Sequence, residues 1–279
     1  ALFGVSVTQI NLLVDTLLAS LLVTGSITWL YLSDRLMEFP LGLFGIALAT
    51  VILPHLSKQH AAEDRQGFQA TLDWGLRWVV LLGLPAALAL AVLAYPILAT
   101  LFQHGAYGVY DVTMAALSLQ AYSVGLLAFI LIKVLAPGFY ARQDTKTPVK
   151  VGLVAVMANL VLSLSLVWSL AHVGLALATA LAAWVNAGLL YRELRRQGHY
   201  QPLPGWRQFG LQVLLANVMM VLLLWFISAE AAAWSRWGVL DRVAQLTFCI
   251  GLGMAVYVMS LLLTGLKPAQ LLRPMSGSG

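Results

Sequence analysis

Residues 74–102 read WGLRWVVLLGLPAALALAVLAYPILATLF, and beyond Arg77 the stretch holds no charged side chain. About 20 apolar residues suffice for an α-helix to cross a hydrocarbon core roughly 30 Å thick, so this stretch is more than long enough. Working outward, further charge-poor blocks place spans near residues 7–31, 39–56, 113–140, 149–169, 173–191, 209–228 and 243–266, which with 74–102 makes eight transmembrane helices. Strand-length alternation is absent, which argues against an outer-membrane barrel. The third and fourth spans exceed what a bilayer requires, so tilt or a kink at Pro85, Pro96 or Pro137 is expected. The composition agrees: 61% hydrophobic and 10% charged residues, with a mean hydropathy of +0.86, exclude an ordinary soluble domain. The fold class read from these features is an all-α polytopic membrane protein.

The formal net charge of +5 would suggest nucleic acid in a soluble protein, but in a membrane protein the distribution of charge among the loops carries the information. Lys58, Arg65, Arg77, Arg142, Lys146, Lys150, Arg192, Arg195, Arg196, Arg207, Lys267 and Arg273 fall on one side of an eight-span path, and only Arg35, Arg236 and Arg242 on the other. By the positive-inside rule the first side is cytoplasmic, with both ends of the chain on it. No nucleic-acid partner is expected.

The least apolar break, residues 192–208, carries Gly198, Pro202, Pro204 and Gly205 and divides six helices from two. The expected division is a six-helix unit at 1–196, a cytoplasmic linker at 197–208, a helix pair at 209–266 and a tail at 267–279 whose SGSG end reads as a flexible linker. Ala1 precedes an apolar span without Met or a basic leader, which reads as the start of a fragment. Gly174, Ala178 and Ala182 form a small-residue stripe suited to close helix packing. Trp29, Tyr31, Trp74, Trp78, Trp168, Tyr191, Trp206, Trp234 and Trp237 cluster near span ends, as headgroup anchors do. The lone Cys249 gives neither an intrachain disulfide nor a metal motif.

No catalytic constellation is present, since His55, His60, His104, His172 and His199 lack metal spacing and a nearby nucleophile motif. The chain does not read as an enzyme. The informative residues are the polar groups that the hydropathy profile forces into or beside the membrane, where each is costly unless paired or facing water. In SDRLMEFP, residues 33–40, Asp34, Arg35 and Glu38 share one helical face at the expected start of the second span. This is either a solvated helix start or an arginine that holds an anionic headgroup, for which the guanidinium fork is suited. Asp15, Asn159, Ser163 and Thr179 could join three helices by hydrogen bonds, or offer hard oxygens to a small cation such as sodium. Lys133, inside the fourth span, could snorkel, pair with an acid or face an aqueous cavity.

The segments SDRLMEFPLGLFGIALATVILPHLSK (33–58), DWGLRW (73–78), AYSVGL (121–126) and KVLAPGFYARQDTKTPVK (133–150) closely resemble the lipid II flippases, a family within the multidrug/oligosaccharidyl-lipid/polysaccharide exporter superfamily. The resemblance covers nearly the whole chain and weakens after Arg196. It implies the second of two inverted six-helix lobes, followed by two helices bordering a lipid-tail groove, with a first lobe outside this chain. It further implies alternating-access movement of undecaprenyl-linked peptidoglycan precursor, lipid II, for cell-wall synthesis. Arg35 matches a cavity-facing arginine of the family, with Asp34 and Glu38 in the same motif. Asp15, Asn159 and Thr179 resemble a sodium site of some members, whereas Ser163 replaces a stronger acidic ligand. Two other readings stand beside this one: a cation-coupled multidrug or oligosaccharide-lipid exporter of the same superfamily, and a non-transporting membrane scaffold.

Overall fold

The computed structural model describes residues 13–228 and 231–266, and the structural statements below concern those residues. Residues 13–20 form α1, which ends in a turn at 21–25. Then α2 (Ser26–Pro40), a π-helical turn (Leu41–Ile46) and α3 (Ala47–Ala61) follow as one 36-residue run. Two expectations are corrected here. The span expected at 7–31 is interrupted at 21–25, and its first residues lie outside the described ones. SDRLMEFP, expected at a helix start, lies within a run that begins at Ser26. The break falls at Gly25, whose φ of +105° is cheap only for glycine, and not at the charged residues, which a helix tolerates on an open face.

Proline shapes the next two spans, because its ring clashes with the carbonyl four residues back and offers no N–H. The expected third span is α4 (Arg65–Val92) and α5 (Ala94–Phe102), broken at Leu93 just ahead of Pro96. The fourth is α6 (Val109–Leu135) and α7 (Pro137–Tyr140), broken at Ala136 before Pro137. Pro85 stays inside α4. The next helix, α8 (Lys146–Arg196), is 51 residues long but turns sharply at Ala171, where φ is 50° and ψ is −131°. Ser163 and Thr179, about one residue-octet to either side of that turn, reach one carboxylate, so the two legs lie side by side. They correspond to the fifth and sixth expected spans.

α6 is the axis of this bundle, packing against α2, α4, α5 and α8. At Gly125 an added Cβ would stand 2.6 Å from the Ala180 Cα, so α6 and the second leg of α8 touch backbone to backbone. The expected small-residue stripe is buried on the same leg, where an added Cβ at Gly174 would stand 2.5 Å from the Leu166 carbonyl oxygen of the first leg. α9 (Trp206–Ile227) and α11 (Val239–Leu263), joined through α10 (Ala231–Arg236), pack on each other and on α4 and α5. They close a second apolar cluster containing Val213, Met220, Leu224, Cys249 and Tyr257. Two polar pins fix the pair: the Tyr257 hydroxyl donates to the Leu81 carbonyl at 2.7 Å, and the buried Arg242 donates to the carbonyls of Ala99 and Ser235 at 2.9 and 3.1 Å.

Helices Ser26–Ala61, Arg65–Val92, Val109–Tyr140, Lys146–Arg196, Trp206–Ile227 and Val239–Leu263 are each long and apolar enough to cross a membrane. The chain is a multi-pass α-helical membrane protein. The aromatic-belt expectation needs correction at two positions: Trp168 is exposed, as an anchor is, but Trp29 and Trp234 are 2% and 0% exposed. Trp29 is interior because Asp111, at the start of α6, accepts a hydrogen bond from its indole N–H at 3.0 Å.

The α6–α8 contact sets a test of the bundle. Gly125→Leu overpacks it and is expected to cost about 1–3 kcal/mol, seen as a lower thermal midpoint of the full-length protein in detergent. Gly152→Leu, at a position with nothing within 4 Å, leaves the midpoint unchanged.

Candidate functional site

On α2, Trp29, Leu30, Ser33, Met37 and Pro40 recur every three or four residues and are buried, which turns Tyr31, Arg35 and Glu38 to the open side. Arg35 Nη1 donates to Glu38 Oε2 at 2.6 Å, and the guanidinium lies 5.1 Å from the Tyr31 ring centroid. The two side chains are 55% and 48% exposed, so the ion pair adds little stability. Its effect is to aim the guanidinium while leaving most of its N–H donors open. Asp34 is half-buried beside them, and it shares the electrostatic neighbourhood of the Tyr122 hydroxyl on α6 with Asp15. A charged face of this kind is costly against lipid tails and suits a water-filled cavity.

The second expected group also assembles. Asn159 Nδ2 donates to both Asp15 carboxylate oxygens at 3.4 and 3.3 Å, and Ser163 Oγ to Oδ1 at 3.3 Å. The Thr179 hydroxyl, 3.1 Å from the Leu175 carbonyl, lies within reach of the same carboxylate. These contacts are longer than the usual 2.9 Å or so of a protein hydrogen bond. The donor set is one carboxylate, one amide and two hydroxyls, all hard oxygen ligands drawn from α1 and both legs of α8. That chemistry fits a monovalent hard cation, and no trio of His, Cys, Asp or Glu suited to a metal ion occurs among the described residues.

Lys133 sits in the last turn of α6, exposed, with no ion pair among the described residues. Its stem passes over Gly45 of the π-helical turn, where an added Cβ would come 3.3 Å from Lys133 Cγ. Gly45 lies some ten residues beyond Arg35, so the lysine stands roughly 15 Å from the arginine along that run. The Lys133 amine shares a cleft of about 410 Å³ with Asn159, Thr179, Asn186 and Tyr140. The lysine and two of the four oxygen ligands, Asn159 and Thr179, expected as separate groups, thus line one space. Asn186 was missed by sequence reading, although it lies two helical turns beyond Thr179 and so on the same face.

A further polar centre was also missed. Asp73 of α4 is 1% exposed, and its Oδ1 accepts from the Tyr200 hydroxyl at 2.8 Å, the Trp206 indole N–H at 2.7 Å and the Leu203 backbone N–H at 3.1 Å. Its Oδ2 accepts from Arg77 Nε at 2.8 Å. Arg77 in turn donates to the Pro204 carbonyl at 2.9 Å and lies under the rings of Trp206 and Phe209 at 5.3 and 5.6 Å. One carboxylate and one guanidinium, four residues apart on α4, therefore clasp the segment 200–206 that leads into α9. The i, i+4 spacing of Asp73 and Arg77 was the available signal, but their aromatic partners lie about 130 residues further along, beyond any local pattern.

The family model described as "Lipid II flippase MurJ" matches residues 1–245. The chain belongs to the lipid II flippase family. A probable lipid II flippase of Vibrio cholerae serotype O1 is 53% identical over 268 residues, covering 96% of this chain and 51% of that protein. One from Haemophilus influenzae is 49% identical over 278 residues, covering 98% and 54%. The chain thus spans about half the length of the curated relatives it matches. Among solved structures, a lipid II flippase in an inward closed conformation aligns with a TM-score of 0.76 at 24% identity, over 92% of this chain and 51% of that one. An outward-facing multidrug resistance transporter of the MATE family aligns at 0.57 and 18% identity, over 94% and 62%. Both likenesses are of fold.

The clasp predicts its own phenotype. Asp73→Ala strands a buried guanidinium and three donors, a loss of about 3–5 kcal/mol, while Asp73→Asn keeps an acceptor and loses less. In the full-length protein the alanine variant is expected to show a lower thermal midpoint and faster proteolytic cleavage within residues 197–205. Wild-type cleavage rates in that variant would remove the clasp from consideration.

Proposed function

We propose that this chain is the second lobe and groove-forming helix pair of a flippase that moves lipid II, the undecaprenyl-pyrophosphate-linked peptidoglycan precursor, from the cytoplasmic to the periplasmic leaflet of the bacterial inner membrane. The observation that carries the reading is Arg35, a half-exposed guanidinium on the open side of α2, paired with Glu38, in a chain of this family. A pyrophosphate bearing sugars and peptide cannot enter hydrocarbon unaided, whereas its polyprenyl tail is at home there. A polar face open sideways to lipid meets both requirements. Arg35 holds the pyrophosphate through paired N–H donors, Glu38 and Asp34 set its position, and Lys133 adds a second cation toward the basic end.

In this reading residues 1–196 form the lobe, 197–208 the linker and 209–266 the helix pair, with the basic end and both chain ends cytoplasmic. The tail has an apolar cleft of about 460 Å³ available, lined by Leu76, Val80, Leu131, Trp184, Tyr200 and Trp206 beneath the clasped linker. Flipping requires the other half of a full-length flippase, whose lobe faces Arg35 across the cavity. The protein's part is binding and conformational exchange, without a chemical reaction. Asp15, Asn159, Ser163 and Thr179 would hold a sodium ion, which supplies a positive charge beside Asp15 and ties α1 to α8. A cation-coupled drug exporter shares the fold, but it calls for acids rather than an open arginine.

Two measurements test this function. Full-length protein with Arg35→Ala is expected to reach normal membrane levels yet fail to sustain growth when the native flippase is depleted, and full complementation would sink the proposal. Sodium is expected to raise the thermal midpoint over that in equal potassium, with the difference abolished by Asp15→Asn. An equal response in the variant would refute the cation site and leave the lipid assignment untouched.

A further inference from the structure

At the basic end of the bundle three connections meet: residues 62–64 between α3 and α4, 141–145 after α7, and 197–199 after α8. They surround a cleft of about 370 Å³ into which Arg65, Arg142, His60 and His199 converge. None of these four is in an ion pair among the described residues. Arg142 is held in place, with Nε donating to the Gly138 carbonyl at 2.9 Å, Nη2 donating to Gln197 Oε1 at 3.0 Å, and the Phe139 ring centroid 5.3 Å from its guanidinium. The Arg65 side chain is exposed, and His199 rests edge-on against Phe68 at 6.5 Å.

Of the acids nearby, Asp144 acts electrostatically on Arg142, and two are also helix caps. Asp64 lines the cleft but caps α4 by accepting from the Gly67 N–H at 2.8 Å, and Asp144 accepts from the Thr147 N–H at 3.0 Å at the start of α8. That leaves Glu63, exposed and without an ion pair, as the one lining acid not engaged in a cap. The basic groups are close enough to feel one another: burial, and then the charges of Arg142, Arg65 and His60, hold the His199 imidazole below the ordinary histidine range. The Arg65 and Arg142 guanidiniums and the two imidazoles meet in a concave, polar space, with Glu63 and Asp64 as the acids on its lining. Guanidinium forks together with imidazole N–H groups are the donors that a tetrahedral phosphate oxygen set accepts from.

We propose that this cleft is a phosphate-binding site separate from Arg35, taking either a soluble pyrophosphate-type anion or the phosphodiester headgroup of an anionic phospholipid. His60 lies about 25 residues beyond Arg35 on the same helical run, roughly 37 Å at the α-helical rise, so one ligand headgroup does not span both. An anion held here cross-links all three connections at this end of the lobe. Its occupancy therefore favours the arrangement in which they meet, and couples lobe conformation to phosphate chemistry at the membrane surface.

The test uses the full-length protein, first in neutral detergent with inorganic pyrophosphate against sodium chloride of equal ionic strength, then in nanodiscs of phosphatidylglycerol against phosphatidylcholine. Arg65→Glu is the main variant and His60→Gln the second, since both side chains are exposed and neither is needed for folding. A pyrophosphate-dependent rise in thermal midpoint, weakened about tenfold in apparent affinity by Arg65→Glu and retained in Arg35→Ala, identifies a soluble ligand. A stabilisation by phosphatidylglycerol alone, lost in the same variants, identifies a lipid headgroup. If neither system gives a response sensitive to Arg65→Glu or His60→Gln, the proposal is overturned.

Discussion

A polar group inside hydrocarbon has no water to return to, and this cost arranges the whole bundle. Asp73 meets it by saturation: four donors reach its two oxygens, and the charge is balanced by Arg77. Trp29 and Asp111 do the same near the opposite end, joining α2 to α6, while Arg242 satisfies two carbonyls between α5 and α10. Apolar packing among helices already immersed in lipid supplies little directional preference. The saturated polar contacts and the small-residue contact at Gly125 therefore choose which helices are neighbours.

Seen this way, Arg35 and Asp15 differ from Asp73 in having fewer or longer polar contacts. Arg35 has one carboxylate and an aromatic ring, and its remaining donors face outward. Asp15 has contacts of 3.3 to 3.4 Å to Asn159 and Ser163, with the Thr179 hydroxyl also in reach. A polar group kept incompletely satisfied inside a membrane protein marks a place where something else binds or where water enters. Structure and exchange thus use one currency, with Asp73 at the fixed extreme and Arg35 at the available one.

Much of this was legible in the sequence, for identifiable reasons. Hydropathy alone located the helices, because span length is imposed by the bilayer rather than by the partner helices. Pro96 and Pro137 announced their breaks through a steric rule that acts within four residues. Asp15, Asn159, Ser163 and Thr179 could be grouped because each stood out against apolar surroundings, although nothing local said they would meet. The break at Gly25 was not legible, since a single glycine among apolar and hydroxyl residues does not reveal its φ. The Asp73 clasp was hidden by distance along the chain, and the burial of Trp29 and Trp234 by the fact that an interior indole and an interfacial one share the same position near a span end.

The π-helical turn at residues 41–46 has a mechanical meaning. A turn closed with one extra residue rotates everything after it by about 100° relative to an unbroken α-helix. The half that carries Arg35 and the half that carries Gly45 and α3 are thereby indexed to different directions, one toward the open side and one toward Lys133. The helix thus changes the face it presents between the arginine and the basic end of the lobe within LGLFGI, with no loop between the two halves.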